Sequence, residues 1–476
     1  MFIGRKEELN YLNELYSSPR AEFIVLYGRR RIGKTETLTE FCKGKSGVFY
    51  SCREYTDSIQ LKSFSEKMLS NSIPAAKYIK EFADWNSAFS AITELPGAQK
   101  KILVIDEFPY MCKGNSSIPS ILQILWDEKL KNANVMLILC GSSMSFIEKE
   151  LLAEKNPLYG RTTGIYKMQP LPFLDAVKFF PNYSDEDKLI AYSILGGIPH
   201  YLKQFDPDLS LAENVKRKIL TKGTVLYSEV EFLLRQELRE ASVYNTIIEA
   251  VALGNTSFNA ITTKTEIEKT KLSVYIKNLI DLGIVQREFS ALTGTKERTN
   301  SNKGYYQLTD NFFRFWYSFA YRFLSDLERG DAEGIWRHIV KDNLHHFASK
   351  AFENVCIEHL FSLNKQNVLP FRAASVSRWW GKTTKTVQDK MLTTAEEIDI
   401  VAADIHENSF IICECKFTNA PFDLGQFKAL KEKLNPKGEI YYYLFSLSGF
   451  TSALTELAKS DTAVKLITLS DILSGR

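Results

Sequence analysis

The chain has 476 residues, more than one hydrophobic core ordinarily holds, and its 45% hydrophobic and 25% charged residues are those of a globular protein of about two to four domains. A formal net charge of +3 excludes a polyelectrolyte, so any basic surface must be local. No apolar run reaches the roughly 20 residues that span a bilayer, and Met1-Phe2-Ile3-Gly4-Arg5-Lys6 lacks the apolar core of a signal peptide. The seven scattered cysteines match no zinc spacing, so a reduced, cytoplasmic protein with no membrane partner is expected.

The first strong pattern is Gly28-Arg29-Arg30-Arg31-Ile32-Gly33-Lys34-Thr35, which fits GxxxxGK[ST]. The apolar run Glu22 to Tyr27 predicts a strand before it, and Glu36 to Phe41 predicts a helix after it. A Gly-rich loop between a strand and a helix N-terminus aims backbone N–H groups at phosphate. Lys34 would reach the β- and γ-phosphates of ATP, and the Thr35 hydroxyl would hold Mg²⁺. Lys101-Ile102-Leu103-Val104-Ile105 reads as a central parallel strand that delivers Asp106 and Glu107 to the same end. Asp106 would orient the Mg²⁺ shell and Glu107 would polarise the attacking water. A third strand from Asn134 runs into Ser142 and Ser143. Either serine can sense the γ-phosphate, and either can equally cap the next helix.

At this point the chain resembles a family. Phe2-Ile3-Gly4-Arg5-Lys6-Glu7-Glu8-Leu9 is similar to the FxGRxxEL opening of AAA-like and STAND signalling ATPases. Pro157-Leu158-Tyr159-Gly160-Arg161 and Leu195-Gly196-Gly197-Ile198-Pro199-His200-Tyr201-Leu202 resemble later motifs of the archaeal-type predicted ATPases, a STAND subgroup. The resemblance implies that Pro199 starts a helical lid and touches the adenine. It also implies that Arg161 senses the γ-phosphate, within the chain or across a subunit boundary in a homo-oligomer. Read from the residues alone, Gly-Gly-Ile-Pro is also a turn, and Arg161 is also a solvated charge.

Residues 185–240 carry helical periodicity suited to a small lid. Helices over Val243–Leu253, Ser257–Thr263 and Lys271–Leu282, then strands at 284–289 and 303–308, predict a winged helix-turn-helix. Lys264, Lys269, Lys271 and Lys277, with Lys296 and Arg298 on the wing, suit phosphate contacts to DNA. Glu266, Glu268 and Asp281 dilute that face, which favours a regulatory module docked within the protein over DNA binding. The aromatics from Phe312 to Phe319 lie all round a helix and predict burial, ahead of a stacking platform for bases.

Toward the end, Glu396 to Asp404 and Ser409 to Phe417 predict a β-hairpin. Period two sets Glu414 and Lys416 on one face and Cys413 and Cys415 on the other. Asp399 followed by Glu-x-Lys resembles the PD-(D/E)xK nucleases, without the proline of that motif. The resemblance implies that Asp399 and Glu414 hold Mg²⁺, that Lys416 steadies the nucleophile, that Glu353 adds a carboxylate and that Gln426 assists. Basic residues between Phe371 and Met391 (Arg372, Arg378, Lys382, Lys385, Lys390) interleave with Trp379 and Trp380, a pattern that suits a DNA channel beside the carboxylates.

The expected fold is therefore α/β. A P-loop NTPase parallel sheet spans 1–184, a helical lid 185–240, a winged helix 241–310 and an aromatic helical linker 311–340. A restriction-endonuclease-like α/β domain spans 341–476. The expected activity is an ATP-dependent switch, with ATP and Mg²⁺ as ligands. A DNA-interacting, nuclease-like output is one reading. A non-catalytic DNA-binding ATPase and an oligomeric scaffold with a regulatory protein partner are the others.

Overall fold

A computed structural model of the chain describes residues 2–294, 298, 304–387 and 390–475. It divides into two compact units, one of Met1–Leu171 with Ile198–His200, the other of Pro172–Gly197 with Tyr201–Arg476.

The first unit holds a five-stranded sheet in the order β2-β3-β4-β1-β5, with every neighbouring pair parallel. Its strands are β1 (Glu22–Tyr27), β2 (Gly47–Ser51), β3 (Lys101–Asp106), β4 (Val135–Gly141) and β5 (Gly164–Lys167). Every residue of β1, β3 and β4 is buried, which explains their unbroken aliphatic runs: a central parallel strand is covered on both faces. Period two then divides them between two cores. Phe23, Val25, Leu103 and Ile105 join one, while Ile24, Leu26, Ile102 and Val104 join the other. Helices α1 (Lys6–Ser17), α2 (Lys34–Cys42) and α3 (Ile118–Glu128) pack against this sheet.

The second unit begins with short helices that include α4 (Asp185–Leu195), which Ser184 caps and Gly196 ends. Three helices follow: α5 (Ala241–Ala252), α6 (Phe258–Thr265) and α7 (Lys269–Asp281). The antiparallel pair β6 (Val285–Glu288) and β7 (Tyr305–Leu308) comes next. Lys296 lies outside the described residues, and the Arg298 side chain donates to the Thr293 carbonyl. The aromatic stretch forms a helix at Asn311–Phe315 that widens into a π turn at Trp316–Ala320. Phe312, Phe313, Phe315, Trp316, Tyr317 and Phe319 are buried there, so they are core and not a platform for bases.

The unit ends in helix α8 (Leu344–Lys365) and a mixed sheet in the order β12-β11-β10-β9-β8. The strands are β8 (Ser375–Val387), β9 (Lys390–Ala403), β10 (Ser409–Lys416), β11 (Glu439–Ser446) and β12 (Val464–Thr468). β8, β9 and β10 pair antiparallel, and β10, β11 and β12 pair parallel. Helix α9 (Leu424–Lys433) crosses from β10 to β11, as parallel neighbours require. All seven cysteines are free thiols in this structure.

Candidate functional site

The loop from Gly28 to Thr35 lies between β1 and α2, at the carboxyl end of the sheet. Its shape needs both glycines. A Cβ on Gly28 would stand 2.7 Å from the Met168 carbonyl oxygen, and Gly33 has φ +92°. Arg29, Arg30 and Arg31 are half-buried, with Arg31 at φ +67°, and the Ile32 side chain is sunk in the core. Lys34 is buried, with Nζ donating to the carbonyls of Gly28 and Arg29 at 2.9 and 3.0 Å. Burial lowers its pKa. Pro199 Cγ lies 3.7 Å from the position a Gly33 Cβ would take, so Pro199 reaches this loop.

The acidic strand tip meets the loop. The Thr35 hydroxyl donates to Asp106 Oδ2 at 2.8 Å, and the Glu107 N–H donates to Asp106 Oδ1 at 3.0 Å. Glu107 itself has φ +51°, an uncommon conformation outside glycine. Its Oε2 accepts from the Ser142 hydroxyl at 2.9 Å and the Ser142 N–H at 3.3 Å. Ser142 therefore orients Glu107. A hydroxyl and a carboxylate side by side fit Mg²⁺, which takes one or two protein oxygens and completes its shell with phosphate and water.

Arg5 is a residue whose role the sequence reading missed. It is buried, and its guanidinium donates to Ile32 O (2.6 Å), Gln169 O (2.7 Å) and Glu8 Oε1 (2.6 Å). The Gly4-Arg5 opening thus clamps the phosphate loop from below. The spacing Arg5-x-x-Glu8 at the start of α1 was the available signal.

Arg161 is placed elsewhere. Its Nε and an Nη both lie 2.9 Å from Asp127 Oδ2, near the end of α3. Thr163, two residues on, bonds Phe23 at the amino end of β1. The loop follows Tyr27, four residues and about 13 Å farther along the strand. The structure brings Arg161 to Asp127 and not to the phosphate loop of its own chain.

In the second unit, the pairing of β8 with β9 slips by one residue. Ser377 pairs with Val401 and Trp379 with Ile398, so Asp399 and Ile400 together oppose Arg378. Such a bulge re-aims a side chain. Asp399 Oδ2 accepts the Cys415 N–H at 2.7 Å, and burial, then Glu414 and Glu353, push its carboxyl up to about 7. Glu414 is buried and accepts from Lys416 Nζ at 2.6 Å and Lys433 Nζ at 3.1 Å, one lysine to each oxygen. Glu353 Oε2 meets Lys350 Nζ at 2.9 Å and Arg378 Nε at 3.3 Å. Cys413 and Cys415, beside Cys356 of α8, are thiols that burial pushes well up.

Asp399, Glu414, Lys416 and Glu353 are thus brought together, as the resemblance implied. Gln426 is not with them. Its side chain accepts from the Asp423 N–H in a capping box at the start of α9, and it is exposed. From the same helix Lys433 reaches Glu414 instead, two turns farther along. Both Glu414 oxygens accept from lysines and one Asp399 oxygen accepts from a backbone N–H, so the arrangement turns ammonium groups, and not open carboxylate oxygens, toward a ligand. The Mg²⁺ assignment to Asp399 and Glu414 is not carried by this geometry.

Beside this cluster, the segment after β6 lies along β8. The Ser290 hydroxyl donates to Trp380 O (2.8 Å) and accepts from Trp380 N–H (2.9 Å). The Ala291 N–H donates to Arg378 O at 2.7 Å, and the Ala291 side chain joins the C-terminal core.

Comparison with known proteins follows these two regions. Residues 2–205 match an ATPase domain predominantly from Archaea. Residues 316–432 match a family of archaeal and bacterial proteins of unknown function. The uncharacterized protein MJECL04 of Methanocaldococcus jannaschii is 34% identical over 419 residues, 88% of this chain and 88% of that protein. The uncharacterized ATP-binding protein MJ0423 of the same organism is 47% identical over 45 residues, 10% of this chain and 76% of that protein. Among solved structures, the Walker-type ATPase paby2304 of Pyrococcus abyssi aligns at a TM-score of 0.49 and 20% identity, over 66% of this chain and 96% of that one.

Proposed function

The chain belongs to the family of the M. jannaschii protein MJECL04, with an archaeal-type ATPase domain at residues 2–205, and from that premise we propose that it is an ATP-hydrolysing switch whose output is a DNA-binding, nuclease-like domain. The observation that carries the first half is the bond between Thr35 and Asp106, which joins the phosphate loop to the acidic strand tip. Gly28 to Thr35 wrap the phosphates, and Lys34 turns from the loop carbonyls to the β- and γ-oxygens. Thr35 and Asp106 would hold Mg²⁺, which would supply positive charge to the phosphate oxygens. Glu107, oriented by Ser142, polarises the water. Pro199 follows the nucleotide and passes its state to the lid at 185–240, in the manner of STAND ATPases.

The second half rests on Asp399, Glu414, Lys416 and Glu353 meeting at a bulge between β8, β9 and β10. The reading of 241–310 as a winged helix that docks within the protein is favoured by the bonds of Ser290 and Ala291 to β8. Cleavage of single- and double-stranded DNA, with and without ATP and Mg²⁺, tests the output. A nuclease predicts cutting that Asp399→Ala and Glu414→Ala abolish. The non-catalytic DNA-binding reading, favoured by the occupied oxygens of Glu414, predicts binding without cutting. Cutting that survives in both variants removes the nuclease reading.

A further inference from the structure

Each buried glutamate of the C-terminal cluster carries two cations. Glu414 carries two lysines, Lys416 from its own strand and Lys433 from α9. Glu353 carries Lys350 from its own helix and Arg378 from β8. Four cations therefore surround Glu353, Asp399 and Glu414, with the exposed Glu397 at the rim 3.6 Å from Arg378. Between a fifth and a third of each cationic side chain reaches solvent, whereas the Glu353 and Glu414 side chains are only 14% and 10% exposed.

A buried carboxylate is costly and needs one partner to neutralise it. A second cation on each does not improve that neutralisation. It sets cationic groups toward solvent above carboxylates that lie beneath them, with the long side chains held in place by those carboxylates. Arg378 offers a planar fork and the lysines offer point charges, the combination that suits phosphate oxygens. The exposed Lys382 follows on the same strand as Arg378, so a further cation lies beyond the cluster.

We propose that Lys350, Arg378, Lys416 and Lys433 form a metal-independent cradle for the phosphodiester backbone of DNA, in which Glu353 and Glu414 position the cations and ligate no metal. This rests on the DNA-binding reading of the C-terminal domain and changes its chemistry. Lys433 is a binding residue that neither the sequence pattern nor the resemblance assigned.

The full-length protein is titrated onto fluorescein-labelled single-stranded and duplex 20-mers by anisotropy, in EDTA and in Mg²⁺, over a series of salt concentrations. The cradle predicts binding in EDTA that Mg²⁺ does not tighten. Lys433→Ala and Lys416→Ala should each weaken it about tenfold, the loss expected for one charge-assisted phosphate contact. Each should also reduce the slope of log affinity against log salt by about one. Glu414→Gln decides the sign. It removes a negative charge facing the backbone and should tighten binding several-fold, whereas a metal ligand lost at the same position would weaken it. Binding that requires Mg²⁺, or that Glu414→Gln abolishes, overturns the cradle and leaves the DNA-binding reading standing. Binding that both lysine variants leave unchanged places the DNA elsewhere and also overturns it. No binding to either DNA in either condition removes the DNA-binding reading itself. Lys433 is the last residue of α9 and is not among that helix's buried residues, Phe427 and Leu430, so its variant tests the proposal without removing a core side chain.

Discussion

Replacing Arg5 by alanine tests whether the phosphate loop is held from beneath. The guanidinium makes three bonds of 2.6–2.7 Å, one to a glutamate and two to backbone carbonyls, and Arg5 itself is 4% exposed. Its removal strands the Glu8 carboxylate and leaves the carbonyls of Ile32 and Gln169 without that donor. Breaking a buried pair from one side costs about 3–5 kcal/mol, a large part of the roughly 5–15 kcal/mol that holds a domain folded. Arg5 also has φ +66°, which glycine adopts without strain. Arg5→Gly should therefore be about 1 kcal/mol less damaging than Arg5→Ala. Because the Ile32 carbonyl belongs to the phosphate loop, the loss should also reach nucleotide affinity. Urea unfolding of the two variants, followed with titration of a fluorescent ADP analogue, reads both effects. A loss below about 1 kcal/mol with unchanged affinity would refute the clamp.

Three further outcomes follow from the same geometry. Ser142→Ala frees Glu107 from its orienting hydroxyl, so steady-state ATP turnover should fall about tenfold while nucleotide affinity changes less than about twofold; equal turnover would leave Ser142 as a helix cap only. Burial lowers the His359 pKa below its ordinary 6.5, against the opposing pull of Asp471. A depressed folded pKa gives stability that is present above 6.5 and is lost as pH falls through the lower value, so His359→Gln should flatten the urea midpoint against pH below 6.5, and parallel profiles would contradict this. Arg161 lies away from its own chain's loop, so a role in turnover requires a neighbouring subunit. Mixing Arg161→Ala with Lys34→Ala protein should partly restore turnover, and no rescue would leave Arg161 as the ion-pair partner of Asp127.

The sequence was most legible where one strand carries one message. β1, β3 and β4 are buried on both faces, so their aliphatic runs stand out, and each delivers its polar residues to the same end of the sheet. Glu414 and Lys416 were legible because period two fixes faces along β10, and Asp399 because the hairpin sets β9 beside it. Less legible were contacts that bring residues distant in sequence together. Arg5 meets Ile32 and Gln169 at separations of 27 and 164 residues, and no local periodicity encodes that. Gln426 and Lys433 share a helix, and only the packing of α9 decides which one reaches Glu414. The slip at Asp399 is also silent in the sequence, since it depends on which residue of β8 lies opposite. The Asp127 partner of Arg161 was also silent, because a glycine-arginine pair gives no information about which end of β1 its loop returns to.

The central claim is that the loop from Gly28 to Thr35 is the control input. Calorimetric titration of ATP with Mg²⁺ into the wild-type protein and Lys34→Ala tests it directly. The account predicts binding to the wild type and a loss of at least about a hundredfold in the variant, as one buried cation withdrawn from two phosphates requires. Equal affinity in the two proteins would contradict it.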